Sequence, residues 1–114
     1  MAILPPKEVP KKGFYYHYKH DPEGAVNNYA YEVMGVGHHT EENCLPEDRH
    51  MVVYRPLYED AAVYKGGKLF DLRPLAMFME YVTKQGKTFP RFKKIRDEAV
   101  IKELEVVRAR MYGG

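Results

Sequence analysis

The sequence predicts a mainly β protein, either a small antiparallel barrel of the SH3-like kind or a strongly curled sheet, with one short helical turn and a C-terminal α-helix. Three observations carry this reading. Ten tyrosines and five phenylalanines occur with no tryptophan, and such aromatics favour strands. Short segments that alternate in polarity are separated by turns rich in glycine and proline. The last stretch of the chain switches from alternation to helical spacing.

The elements follow in order. In residues 14–19, FYYHYK, one face collects Phe14, Tyr16 and Tyr18 and the other Tyr15, His17 and Lys19, the period of a strand. DPEGAVNN, residues 21–28, carries turn residues and connects to a second strand over 29–36. A third strand covers 51–58, with Pro56 confining its far end to an edge or bulge because proline donates nothing to the ladder. YKGGKLF, residues 64–70, is a hairpin candidate, since paired glycines accept the positive φ of a tight turn. Pro74 suits a first helical position and Leu75, Phe78 and Met79 have helical spacing, which predicts one or two turns of helix. TKQGKTFPRF, residues 83–92, reads as strand, turn at Gly86 and strand, with Pro90 ending the pairing. Over 97–111, Val100, Leu104, Val107 and Met111 repeat at helical intervals, and Glu98 precedes Lys102 by one turn. Gly113 and Gly114 are expected to fray.

This gives an N-terminal extension (1–12), a β-rich core domain (13–96) and a C-terminal helix (97–114) packed on the core. A helix this short is marginal alone in water. Its stripe therefore buries against the core or against a second copy, which would make a homodimer through this helix.

Composition narrows the class. A chain of 114 residues with 45% hydrophobic and 30% charged content is an ordinary single globule. No apolar run reaches the roughly 18 residues of a membrane span, and the N-terminal MAILPPKEVPKKG is too proline-broken for a signal sequence. The expected location is the cytoplasm, away from membranes. Net charge is +2, too mild for the footprint of a dedicated nucleic-acid binder. Charge is unevenly spread, with an acidic loop at Glu41, Glu42, Glu47 and Asp48 and a basic stretch at Lys84, Lys87, Arg91, Lys93, Lys94 and Arg96. Cys44 is the only cysteine, so no intramolecular disulfide forms, and the absence of serine removes serine triads.

Two groups of residues invite chemistry. If the second and third strands form a hairpin, partner numbers sum to about 88 and His38 faces His50. With Cys44 a zinc site can be drawn, but the spacing matches no recognised pattern, and no metal or cofactor is expected. Simple pairing sets His17 level with Ala30 or Tyr31, roughly nine residues of strand from His39 at about 3.3 Å each. The structural role for His17 is a ring packed among tyrosines, and for His39 a turn residue bonded to Thr40 or Glu41. The second group is three arginines beside prolines: Arg55-Pro56, Arg73-Pro74 and Pro90-Arg91. Proline narrows the backbone of the residue before it, so Arg55 and Arg73 are partly preorganised to grip an oxyanion. Their structural alternative is an internal ion pair with Glu32, Glu80 or Asp71.

Taken in order, YHYKH, YEVMGVGHHTE, MVVYRPLY, LRPLAMFME and GKTFPRF resemble the successive blocks of an uncharacterised, mainly bacterial family known as domain of unknown function 1653. The resemblance spans about residues 13–92. The family's pattern falls on Tyr15, His17, Tyr18 and Lys19, on Tyr31, Glu32 and Val33, and on His39, Thr40 and Glu41. It continues through Val52, Val53, Tyr54, Leu57 and Tyr58, then Arg73, Pro74 and Phe78, then Gly86, Pro90, Arg91 and Phe92. This chain departs in extra residues between His20 and Asn28 and around Lys65 to Lys68, and in Asp71, where the family often has tryptophan. The resemblance implies a compact, cytoplasmic, mostly β domain of undetermined function, with the C-terminal helix outside it.

The resulting functional reading is a small β binding module for an anionic ligand, a nucleotide or RNA, met by Tyr15, His17, Tyr18, His39, Tyr54, Arg73 and Arg91. Two other classes stand beside it. One is a small hydrolase-type enzyme using His17 or His39 with a glutamate, and the other is a protein–protein interaction domain.

Overall fold

The structure is a computed structural model and describes residues 8–59 and 69–113. In chain order it contains β1 (Gly13–His17), β2 (Ala30–His38), β3 (His50–Pro56), β4 (Asp71–Pro74), α1 (Leu75–Phe78), β5 (Tyr81–Lys84), β6 (Lys87–Pro90), β7 (Phe92–Lys94) and α2 (Glu98–Tyr112). A 3-10 turn, Pro46–Asp48, lies between β2 and β3. Five strands pair in the order β4-β3-β2-β1-β7, all antiparallel, and β5 with β6 forms a separate two-stranded sheet. Among the described residues no pairing joins β4 to β7, so the larger sheet has two edges and does not close into a barrel. The hairpin expected over 64–70 falls largely outside the described residues.

Alternation decides which residues meet. Tyr15, Tyr31, Val33, Val52 and Tyr54 pack on one face with Phe78 from α1 and Phe92 from β7. Phe14, Ala30 and Leu57 pack on the other with Ile95, Leu104 and Val107. One irregularity makes the first face continuous. His38 is paired with His50 and Val36 with Val52, but Val33 is paired with Tyr54, so an extra residue lies between Val33 and Gly35. Such a bulge shifts side-chain parity by one. Tyr31, Val33 and Val36 therefore reach the same aromatic face.

Helix α2 has the expected apolar stripe, taken up by the chain's own sheet, with Leu104 and Val107 buried and Val100 and Met111 beside them. Asp97 caps it, its carboxylate accepting from Ala99 N–H at 3.0 Å and Val100 N–H at 3.4 Å. Gly113 does not fray as expected. It adopts φ 78° and donates its N–H to Ala109 O at 2.8 Å, a left-handed ending that glycine adopts without strain.

Candidate anion-binding site

The site is built around Phe92. Pairing of β1 with β7 sets Phe92 opposite His17, and the Phe92 ring then meets side chains from across the sheet. It stacks on Phe78 at 4.2 Å and 2°, and meets Tyr31 at 5.6 Å, Tyr54 at 5.9 Å and His17 at 5.1 Å at steep angles. These edge-to-face geometries are the ones the aromatic quadrupole favours.

Arg73 enters from the opposite edge. It lies on β4 opposite Val52, and its guanidinium carbon sits 5.6 Å from the centre of the Phe92 ring. Its Nε donates to the Tyr54 hydroxyl at 3.2 Å. Among the described residues it makes no ion pair. The other two proline-adjacent arginines have the structural partners foreseen for them. Arg55 pairs with Glu32 at 2.9 Å, and Arg91 pairs with Glu80, to which its backbone N–H also donates.

His17 lies between the two ends of this cluster. Its Nδ1 accepts the Lys19 backbone N–H at 3.2 Å, which leaves the proton of the neutral ring on Nε2. Burial, and then the positive charges of Arg91, Arg73 and Lys19, push its pKa from 6.5 down to about 4. The three charges that lower it are all cationic. The sign of the linkage follows: between pH 6.5 and 4 the unfolded chain binds the proton that native His17 refuses, so stability is complete at neutral pH and falls across that window. Urea midpoints at pH 7 and pH 5 check this. The wild type should lose more stability on acidification than His17→Gln, and parallel losses would remove His17 from the account.

The aromatic lining continues past His17. Tyr29 lies 5.7 Å from it and 5.6 Å from Tyr58, and the Tyr58 hydroxyl bonds that of Tyr31 at 2.6 Å. Burial first, then this bond, raises the Tyr31 pKa, so its hydroxyl stays protonated. Tyr29 adopts φ 52°, an uncommon conformation for a bulky residue. On the other side Tyr18 lies 4.4 Å from His17, and its N–H donates to Arg91 O at 2.9 Å.

Of the residues singled out from sequence, His17, Arg73, Arg91 and Tyr18 come together. Tyr54 is buried and reaches Arg73 through its hydroxyl. Tyr15 is a core residue, edge-on to Phe78, with its hydroxyl on Lys11 O at 2.8 Å. His39 is a turn histidine whose Nδ1 accepts the Glu41 N–H at 3.2 Å. Among the described residues no hydrogen bond, ion pair or ring contact joins it to His17, Arg73 or Arg91. His38 and His50 face each other as the hairpin arithmetic requires, and among the described residues no group of three or more histidine, cysteine or acidic side chains could hold a metal ion. Phe92, Tyr29 and Tyr58 are participants that spacing did not reveal. Phe92 meets His17 through a pairing between strands far apart in sequence, which no local period encodes.

Among curated proteins none matches this chain. A crystal structure of a DUF1653 protein from Bordetella bronchiseptica is similar, with 27% identity over 77% of this chain and 94% of that one and a TM-score of 0.52. Residues 13–94, from the first strand to the end of the last, match the family described as protein of unknown function (DUF1653). Sequence and fold agree, and the chain belongs to the DUF1653 family.

Proposed function

We propose that this protein is a binding module for an anionic ligand carrying a flat ring, a nucleotide or a segment of RNA. The observation that carries the reading is Arg73. Its guanidinium is held by Tyr54 and the Phe92 ring, yet it has no carboxylate partner among the described residues. A fixed guanidinium can grip a phosphate with two parallel hydrogen bonds at little ordering cost. The Nε2–H of neutral His17 adds a second donor, and exposed Tyr29 offers a ring face to stack on. The hydrolase reading has less support, because an imidazole with a pKa near 4 is a weak base at neutral pH and the Glu80 carboxylate is engaged by Arg91.

Titration with UMP and AMP at low salt tests the proposal. Arg73→Ala should lower Tm by no more than a few degrees, since no paired carboxylate is stranded. It should weaken nucleotide binding by about tenfold or more, the worth of a charge-assisted hydrogen bond. If neither nucleotide binds, or the variant binds as the wild type does, the anion-site reading is wrong.

A further inference from the structure

We infer that the β5–β6 hairpin extends the Arg73–His17 site into a track for a single-stranded polynucleotide, so that the ligand is a chain of unpaired nucleotides rather than a free mononucleotide. This rests on the anion-site reading above. The hairpin turns at Gln85 and Gly86, with φ 51° and 75°, the positive values a two-residue turn needs. Register then sets Lys84 opposite Lys87. Like charges directly opposite on a strand pair are destabilising, and among the described residues neither lysine has an acidic partner. The hairpin thus carries two exposed, adjacent positive charges with no carboxylate to neutralise them among the described residues.

Those charges sit beside aromatic rings. Alternation places Lys84, Lys87 and Phe89 on one hairpin face, and that face meets Tyr18, which lies 5.8 Å from Phe89 and 5.1 Å from Lys84 Nζ. Tyr18 in turn adjoins His17 and lies 5.9 Å from the Arg91 guanidinium. A row of rings, the buried Phe92 and then neutral His17 and Tyr18, therefore runs between two cations, Arg73 at one end and Lys84 at the other. Arg91 is neutralised by Glu80 and acts by positioning Tyr18. Unpaired cations combined with aromatic stacking faces are how single strands are held without reading sequence. One phosphate would satisfy Arg73 and leave the hairpin lysines without purpose. An acidic peptide would satisfy the charges and leave the rings without purpose.

The test compares UMP, oligo(U) and oligo(dT) of about ten nucleotides, and polyglutamate of equal length. Oligo(U) should bind at least tenfold tighter than UMP. Its affinity should fall with salt at a log–log slope of about −2, for about three phosphates at roughly −0.7 each. In the double variant Lys84→Gln/Lys87→Gln, whose side chains are exposed, the slope should drop toward about −0.7 and most of the advantage over UMP should vanish. Oligo(dT) binding as well as oligo(U) supports a track for phosphodiester and base; a preference for oligo(U) supports the same track and identifies RNA as its occupant. If UMP binds in an Arg73-dependent way but oligomers bind no tighter, or the double variant keeps the advantage, the track is wrong and the anion site stands. If polyglutamate binds as tightly as oligo(U), the track is wrong and the surface is an acidic-peptide site. If neither UMP nor oligomers bind, both readings fall.

Discussion

Replacing Phe78 with Ala is expected to destabilise the protein by about 3–5 kcal/mol, lowering Tm by on the order of 15 °C. Phe78 is 2% exposed and comes from α1, directly after edge strand β4. Its ring stacks on Phe92 of β7, the opposite edge, and stands edge-on to Tyr15 and Tyr54 at 5.7 Å each. In a sheet whose edges share no backbone hydrogen bonds, this ring ties one edge to the other through side chains. Truncation removes the transfer energy of the ring and opens a cavity bordered by the three rings of Phe92, Tyr15 and Tyr54, which cannot collapse independently. Phe78→Leu, which keeps most of the volume, should cost about 1.5 kcal/mol or less. A functional effect should accompany the loss, because Phe92 underlies both Arg73 and His17. Chemical denaturation of the two variants separates the cases; a loss below about 1 kcal/mol for the alanine variant would mean that the edges are held by something else.

Strand β1 was legible as a short aromatic run, the mark of a strand covered on both faces, with Tyr15 packing on one side and Phe14 and Tyr16 on the other. The β2–β3 hairpin was legible near its turn, where His38 meets His50, but the bulge beyond it was not, since the extra residue at Met34 lowers the partner sum by only one. Helix α2 was legible from its apolar stripe, a local signal, while its Asp97 cap and its left-handed Gly113 ending emerged only in the structure. The candidate site was legible only as residue types. Proline-adjacent arginines can be picked out by eye, but whether each has a carboxylate depends on tertiary placement: Glu80 lies beside Arg91 because backbone pairing brings them together, and Glu32 lies beside Arg55 because β2 and β3 are in register. That Arg73 and His17 share the Phe92 ring depends on the curl of five strands, which no single segment specifies.

The longest-range of these pairings gives the second large effect: Glu32→Ala should destabilise the protein by about 3–5 kcal/mol, the cost of stranding buried charges. Glu32 faces α2, with a side chain only 9% exposed; its Oε1 accepts from Arg55 and its Oε2 from Arg108, each at 2.9 Å. Arg55 also lies 3.9 Å from the Tyr112 ring centre, and the Tyr112 hydroxyl donates to Pro56 O. Among the described residues Arg108 Nε is already buried without a hydrogen-bond partner, so loss of the Glu32 carboxylate leaves that guanidinium only the distant Glu105 carboxylate at 3.9 Å. Glu32 belongs to the segment matched by the family and Arg108 to the helix beyond residue 94. The carboxylate thus fastens the added helix to the family fold. Replacing all three charged residues together with apolar ones of similar size should recover much of the loss, because a buried ion network is weak evidence of net stabilisation while a broken one is costly. Amide exchange gives the local readout: in Glu32→Ala, α2 should lose protection before β2 and β3 do. Unchanged protection in α2, or a global loss under about 1 kcal/mol, would show that Leu104 and Val107 hold the helix without help from the ion network.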